Sequence, residues 1–160
     1  MDQASVFHEH DHGACITQSM QTAEALLARQ GARLTPVRRR TLEILLEAHR
    51  AMGAYEVLDR LAQDGFGKQP PVVYRALDFL VEHGLAHRIQ RLNAFTACTS
   101  PDHSHAPAFL ICRNCNTVAE ADAHQVRAMM AELAQGLGFT VERSSFESVG
   151  LCSACAGKPE

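Results

Sequence analysis

The sequence predicts an α+β protein in which an N-terminal winged helix-turn-helix domain precedes a small α/β dimerisation domain. Three observations predict this fold class. Four helix-forming stretches and two short strands fill the first hundred or so residues, and a linker rich in Ser, Pro and His follows them. A strand–strand–helix–strand pattern occupies the remainder of the chain. Two Cys-x-x-Cys pairs bracket this second pattern.

The predicted domain organisation has four parts. Residues 1–16 are expected to be a flexible tail that holds several histidines and one cysteine. Residues 17–98 form the winged-helix DNA-binding domain, residues 99–107 form a hinge, and residues 108–160 form the dimerisation domain with its structural zinc. The tail has two interpretations, an arm that collects metal or a solvated terminus, and the second is favoured.

Capping residues and apolar periodicity place the elements of the first domain. Gly31 is expected to end the first helix, and Thr35 is expected to cap the second, whose first turn suits Pro36. Helices are predicted over residues 17–30, from Pro36 onwards, over 54–62 and over 70–84, and strands over 86–90 and 94–98. Helices followed by a β-hairpin form the outline of a winged helix-turn-helix.

The second domain is expected to contain two strands, a helix and then one or two strands, over residues 108–112, 117–120, 122–137 and 139–149. One face of the helix is apolar at helical spacing, with Val126, Met129, Met130, Leu133 and Leu137. A unit of about fifty residues is too small to bury both faces of a sheet alone. We therefore expect it to pair with a copy of itself in a homodimer.

Composition limits the class of protein. Apolar residues make up 46% of the 160, which is enough for a packed core. No apolar run approaches the roughly 18–20 residues of a membrane span. The N-terminus also lacks the pattern of a secretory signal. We therefore predict a cytoplasmic protein without membrane contact, in which six cysteines are metal ligands or reactive thiols rather than disulfides.

Charge is distributed unevenly along the chain. The formal net charge is −3, but residues 17–91 carry +3 and the remainder carries −6. This segregation indicates two domains with different partners, and the basic one suits a polyanion such as DNA.

The most specific motif consists of two Cys-x-x-Cys turns, formed by Cys112 and Cys115 and by Cys152 and Cys155. Two cysteines three residues apart on a tight turn present both sulfurs to one ion. Two such turns complete the tetrahedron of thiolates that zinc prefers. The 36 residues between the turns exceed a compact zinc ribbon, and the predicted helix and strand account for the length. We predict structural zinc at these four residues.

Two other chemistries can use Cys-x-x-Cys pairs. A redox-active dithiol is one, but neither pair has the strand-to-helix setting of a thioredoxin-like site. A zinc deaminase is the other, and it requires a His-x-Glu and a proline directly before a Cys-x-x-Cys pair. Ile111 and Leu151 occupy the positions before the two pairs.

A second set of metal-binding residue types is scattered along the chain: His87, Cys98, His103, His105 and Glu120. These residues come from the hairpin, the hinge and the second domain, so one shared ion would fix the angle between the two domains. Mixed sulfur, nitrogen and carboxylate ligands suit zinc better than iron or manganese. The alternative is that the histidines are ordinary surface residues and that Cys98 is a buried core residue.

The helix predicted over residues 70–84 is the candidate recognition helix. Tyr74 and Arg75 lie in its first turns, where such a helix meets base edges and phosphates. The three arginines at residues 38–40 are candidates for contacts with the DNA backbone. The alternative is a solvated helix with a surface ion pair between Arg75 and Asp78.

The motifs together resemble the ferric uptake regulator family of metal-sensing repressors, and within it the zinc uptake regulator branch. The resemblance runs from about Leu26 to Cys155. It rests on four motifs that occur in the family's order: Leu34-Thr35-Pro36-Val37-Arg38, Val73-Tyr74-Arg75-Ala76-Leu77 and the two Cys-x-x-Cys pairs. The longer run Pro70–Leu80 is nearly intact against the pattern of the zinc branch.

The resemblance implies a function and a set of site residues. It implies a repressor that binds double-stranded operator DNA when zinc-loaded and silences zinc-uptake genes. It implies two zinc ions per subunit, one structural and one regulatory, and neither enzymatic activity nor an organic substrate. The regulatory ligands would be His87, Cys98, His105 and Glu120, with His103 as a possible substitute. The residues at DNA would be Tyr55 and Arg75, with Tyr74 and Arg38 as further candidates.

The chain departs from the family pattern in two respects. Arg127 lies where iron- and peroxide-sensing relatives carry an acidic or histidine ligand, so a second site between the domains is not expected. The histidine-rich tail has no counterpart in the shared pattern. Three other functions are compatible with these residues: a thiol switch that releases zinc on oxidation, a different metal sensor of the same family, and a zinc-storing protein.

Overall fold

A computed structural model describes residues 12–48, 50–102, 107–142 and 144–157. The described residues up to 102 form one compact unit, and those from 107 onwards form a second. We refer to these as the N-terminal and C-terminal units. None of the described helices is both long and apolar enough to span a bilayer.

Four helices build the N-terminal unit: α1 (His12–Arg29), α2 (Pro36–Ala48), α3 (Ala54–Gln63) and α4 (Pro70–Glu82). Their limits follow local chemistry. The chain leaves α1 through Gly31, whose φ of +69° lies in the left-handed region that suits glycine. The Arg38 backbone N–H donates to the Thr35 hydroxyl at 3.5 Å, so Thr35 caps α2 as expected.

Helix α1 begins earlier than the sequence indicated, because residues 12–16 are helical rather than part of the tail. Ile16 packs against the core of the N-terminal unit, and the Thr17 hydroxyl donates to the Gly13 carbonyl at 3.0 Å. These contacts extend the helix across Gly13, a weak helix former. His8 and His10 of the predicted tail lie outside the described residues.

A three-stranded antiparallel sheet completes the N-terminal unit. It contains β1 (Met52–Gly53), β2 (Ala86–Ile89) and β3 (Ala94–Ala97), in the order β1-β3-β2. Strands β2 and β3 form the expected hairpin, and β1 is an additional short strand paired with β3. The core of the unit is made of fully buried aliphatic side chains from all four helices, among them Leu27, Ile44, Leu61, Leu77 and Leu80.

An ion-pair network joins α2, α3 and the turn after α3. Arg40 donates to Asp64 at 2.7 Å, to Glu47 at 2.7 Å and to Glu43 at 3.2 Å. Glu47 also accepts a bond from Arg60 at 2.7 Å. The hydrogen bond to Glu47 contributes most to raising the pKa of the Arg40 guanidinium. Arg40 therefore contributes to the stability of the N-terminal unit, and its predicted contact with the DNA backbone would compete with these ion pairs.

The neighbouring Arg39 is also paired, with Glu24 of α1. Its side chain is 44% exposed, against 22% for Arg40, and it contacts one carboxylate rather than three. Water screens an exposed single pair strongly and a less exposed network more weakly. The two adjacent arginines therefore differ in their importance for stability.

Replacing Arg40 by Ala should lower the free energy of unfolding by about 1–3 kcal/mol, because its ion pairs with Asp64, Glu43 and Glu47 are lost. Arg39→Ala is the matched control and should cost less than about 1 kcal/mol. The chain has two tyrosines, Tyr55 and Tyr74, and no tryptophan, so tyrosine fluorescence during urea unfolding reports on the N-terminal unit. Equal losses in the two variants would contradict the proposed role of the network.

Five elements make up the C-terminal unit: β4 (Pro107–Cys112), β5 (Val118–Asp122), α5 (His124–Gly136), β6 (Phe146–Gly150) and α6 (Ser153–Ala156). The sheet order is β5-β4-β6, with β4 antiparallel to β5 and parallel to β6. The strand expected over residues 139–149 is shorter, since only its last part pairs with β4. The short helix α6 was not predicted.

The apolar face of α5 is exposed within the chain. Among the described residues of this helix, Ala134 alone is buried. The exposed members of the face are those predicted from helical spacing: Val126, Met129, Met130, Leu133 and Leu137. A continuous apolar helix face of this kind marks an interaction surface rather than a solvated one.

Candidate metal centre and DNA-facing surface

Four cysteines of the C-terminal unit converge into one group, which we call the sulfur cluster: Cys112, Cys115, Cys152 and Cys155. Their Sγ atoms all lie within 4.8 Å of one another. A zinc tetrahedron with Zn–S bonds of about 2.3 Å has sulfur–sulfur edges of about 3.8 Å. The Cys115 and Cys152 sulfurs are 3.7 Å apart. The donor set and its spacing therefore fit a zinc ion held by four thiolates.

Strand pairing brings the two cysteine turns together. In the parallel pairing of β4 with β6, Cys112 lies opposite Gly150, so both strands end at the same edge of the sheet. The Arg113 backbone N–H donates to the Gly150 carbonyl at 2.9 Å and continues this connection into the first turn. Asn116 then adopts a φ of +58°, and the Cys112 N–H donates to the Thr117 carbonyl at 2.9 Å. The pairing of β4 with β6 thus places both cysteine turns at one edge of the sheet.

Hydrogen bonds and desolvation act differently on individual thiols. The backbone N–H of Cys152, followed by that of Cys115, lowers the pKa of the Cys112 thiol to about 6. The Thr117 hydroxyl lies 3.1 Å from the Cys115 sulfur and lowers the pKa of that thiol. Desolvation raises the pKa of the Cys152 thiol to about 11. Zinc binding must therefore displace a proton from Cys152, and acid conditions oppose it.

The N-terminal unit brings together two of the other predicted ligands. His87 lies on β2 and is half-buried, and Cys98 directly follows β3 and is buried. A ring nitrogen of His87 and the Cys98 sulfur are within 4.8 Å of each other. The Cys98 N–H donates to the Leu85 carbonyl at 2.9 Å, which continues the hairpin pairing past the end of β3. The hairpin therefore presents one nitrogen and one sulfur ligand side by side.

Of the remaining predicted ligands, one lies among the described residues and two do not. Glu120 lies on β5 of the C-terminal unit, where it is half-buried and opposite Phe109 of β4. His105 and His103 lie outside the described residues.

Three of the residues predicted at DNA have exposed side chains. Tyr55 lies in the first turn of α3, and Tyr74 and Arg75 lie near the start of α4. Tyr55 and Tyr74 line the same surface hollow, together with Asn93 of the hairpin. Within the described ranges Arg75 forms no ion pair, so the alternative pairing with Asp78 is not observed. The guanidinium of Arg75 is available to a ligand.

Arg38, the fourth predicted DNA residue, is half-buried and held by two contacts. Its guanidinium carbon lies 3.6 Å from the centroid of the Phe79 ring on α4, within the range of a cation–π interaction. Its Nη1 donates to the Arg33 carbonyl at 3.4 Å. Arg38 thus connects α2 to the candidate recognition helix, a role that the sequence did not predict because a contact between two helices has no local signal.

A winged helix-turn-helix unit and a four-cysteine metal cluster in one chain define a metal-binding winged-helix protein. Residues 29–148 match the Ferric uptake regulator family. The match covers most of the chain, and the protein belongs to this family.

Comparisons with individual proteins point to one branch of the family. The chain is 38% identical over 134 residues to the Zinc uptake regulation protein of Escherichia coli (strain K12), which covers 83% of this chain and 78% of the relative. The structure of this chain resembles that of a zinc uptake regulator complexed with zinc and DNA, with a TM-score of 0.84 and 36% sequence identity. The match covers 88% of this chain and 95% of that one. It also resembles the crystal structure of holo XcZur, with a TM-score of 0.81 and 35% sequence identity, over 88% of this chain and 99% of that one.

Replacing Cys112 by Ser should remove one zinc ion per subunit and unfold the C-terminal unit, because a structural site contributes folding energy directly. Cys15→Ser is the matched control, since Cys15 is exposed on α1 and outside the sulfur cluster. Zinc content by atomic emission and far-UV circular dichroism measure both effects. The assignment would be wrong if the two variants retained equal zinc and equal secondary structure.

Proposed function

We propose that the protein is a zinc-responsive transcriptional repressor, which binds operator DNA when zinc-loaded and silences genes for zinc uptake. The observation that carries the proposal is the adjacent His87 and Cys98 on the hairpin of the winged-helix unit. Membership of the family supports it, as does the likeness to a regulator solved with zinc and DNA. The thiol-switch alternative requires sensing by the cysteine pairs alone and leaves the nitrogen ligand unexplained.

Two zinc ions per subunit have separate roles in this proposal. The sulfur cluster holds a structural ion, since all four ligands belong to one unit and form a closed tetrahedral set. The regulatory ion takes His87, Cys98, His105 and Glu120 as ligands. This mixed set of nitrogen, sulfur and oxygen donors binds zinc less tightly than four thiolates in the same geometry, which suits a site that must exchange with the cell's zinc pool.

The regulatory ligands come from the winged-helix domain, the hinge at residues 99–107 and the dimerisation domain at 108–160. An ion bound to all of them favours one domain arrangement over others. If DNA prefers that arrangement, zinc strengthens DNA binding and DNA strengthens zinc binding by the same factor. Through this reciprocal coupling, zinc at the regulatory site increases operator binding and thereby represses transcription.

The protein acts as a homodimer in this proposal. The exposed apolar face of α5 supports dimerisation, because a second copy supplies the apolar partner that this helix lacks within the chain. A two-fold dimer presents two α4 helices to the two halves of an operator with matching symmetry.

At the DNA, Arg75 is proposed to read a base and the other residues to hold the backbone. Arg75 has an exposed guanidinium that can bond a guanine edge with two parallel hydrogen bonds. Tyr55 and Tyr74 offer hydroxyls from one surface hollow, and Arg38 offers its remaining N–H groups to a phosphate.

Arg75→Ala should weaken operator binding by about 1–3 kcal/mol and relax the preference at one base position in each half-site. Tyr74→Phe is the comparison, because it removes only a hydroxyl and should weaken binding to all sequences alike. Fluorescence anisotropy with a panel of single-base operator variants separates the two effects. If Arg75→Ala weakens binding without changing the base preference, Arg75 contacts phosphate and the assignment of base reading fails.

The function is tested by measuring DNA binding at buffered free concentrations of zinc, iron(II) and manganese(II). Zinc should support binding at far lower free concentration than the other two metals, because the ligand set favours it. Equal responses to all three would exclude the zinc assignment. Oxidant-dependent binding at constant zinc would favour the thiol switch instead.

Cys98→Ser separates sensing from folding. The variant should remain a folded dimer with its structural zinc, because Cys98 is not part of the sulfur cluster. It should lose zinc-dependent operator binding at concentrations that saturate the wild type, since a hydroxyl is a poor zinc ligand. A Cys98→Ser protein with an unchanged zinc response would show that the regulatory site lies elsewhere.

A further inference from the structure

The sulfurs of the sulfur cluster obtain their hydrogen bonds from different sources. Cys112 interacts with backbone N–H groups of its own turn and of the second turn. Cys115 lies beside the Thr117 hydroxyl, and Cys152 interacts with the N–H of Cys155. The hydrogen-bond partners of these three sulfurs are thus backbone N–H groups or the side chain of a residue two positions away.

The fourth sulfur has a different kind of partner. The side-chain amide of Asn114 donates from Nδ2 to the Sγ of Cys155 at 3.4 Å. Asn114 lies in the first cysteine turn, between Cys112 and Cys115, whereas Cys155 belongs to the second turn, 41 residues later. Cys155 is buried, so water competes weakly for this bond. The bond joins the two cysteine turns directly, without passing through the metal.

We propose that Asn114 is a positioning residue for the structural zinc, which fixes the Cys155 sulfur in the cluster and reduces the reactivity of that sulfur when zinc is bound. The inference rests on the proposed zinc occupancy of the cluster. Four thiolates around Zn²⁺ carry a net charge of −2, and donors aimed at the sulfurs offset that charge. An N–H···S bond also withdraws electron density from the thiolate, which makes it a weaker nucleophile toward electrophiles.

This role has a consequence for the proposed division between two zinc sites. In the proposed function, the regulatory zinc must exchange with the cell's zinc pool, whereas the structural zinc must stay bound. Asn114 would slow release of the structural ion and protect Cys155 from oxidation and alkylation. The regulatory site could then respond to zinc while the dimerisation domain stays folded.

The test compares Asn114→Ala and Asn114→Asp with the wild type, as zinc-loaded full-length proteins. Zinc release to an excess of a chromogenic chelator should be roughly 10-fold faster in Asn114→Ala. Removing a residue that hydrogen-bonds to a metal ligand commonly lowers metal affinity by about 10- to 100-fold, and this expectation lies at the lower end. Asn114→Asp should be faster still, because a carboxylate faces an anionic cluster. Ser153→Ala, at an exposed position of the second turn, is the matched control and should release zinc at the wild-type rate.

A second measurement distinguishes positioning from general loosening. Iodoacetamide alkylation of the zinc-loaded proteins, read by peptide mass spectrometry, should rise at Cys155 and remain unchanged at Cys112. In the cobalt(II)-substituted protein, the thiolate-to-metal charge-transfer band should move to lower energy in Asn114→Ala. Equal increases at all four cysteines, or an unchanged release rate and band position, would overturn the proposal. A wild type that holds no zinc at the cluster would instead refute the proposed function from which this inference starts.

Discussion

The parallel pairing of β4 with β6 is the constraint on which the rest of the C-terminal unit depends. It brings two turns that are far apart in sequence to one edge of a three-stranded sheet, and the turns carry the four sulfurs. The unit has few other sources of stability, since α5 exposes its apolar face within the chain. Small domains with little core commonly rely on a metal or a partner chain. In the proposed function this unit uses both, a zinc ion at the sulfur cluster and a second copy at the apolar face of α5.

The two sets of candidate ligands differ in how they relate to the fold. All members of the sulfur cluster belong to one unit, so occupation of that site does not depend on the arrangement of the domains. His87 and Cys98 belong to the winged-helix unit, whereas Glu120 belongs to the other. A site that must draw on both units is inherently coupled to domain arrangement, and coupling is what a sensor requires. In the proposed function, zinc held by the sulfur cluster stabilises the C-terminal unit, and zinc held by the regulatory ligands makes DNA binding responsive to zinc.

Much of the fold could be predicted from local sequence, because caps and apolar periodicity are local signals. Thr35 and the proline at the start of α4 placed two helices correctly, and cysteine spacing predicted the sulfur cluster. The rest depends on tertiary contacts. Strand β1 is two residues long and exists through its pairing with β3. The bond between Arg40 and Asp64 joins positions 24 residues apart and has no local signal, and nothing in the sequence distinguished Asn114 from its neighbours. Residue types alone identified the candidates for the regulatory site, but they are too far apart for spacing to define a ligand set, which the family resemblance implies.

The central claim is that each subunit binds one zinc ion with a structural role and one with a regulatory role. Stepwise chelation of the zinc-loaded protein tests it most directly, when zinc content, operator binding and sedimentation are measured in the same samples. We expect the chelator to remove zinc in two steps. The first removes one ion per subunit together with operator binding while the dimer persists, and the second removes the other ion and dissociates the dimer. Loss of all zinc, DNA binding and the dimer in a single step would contradict it.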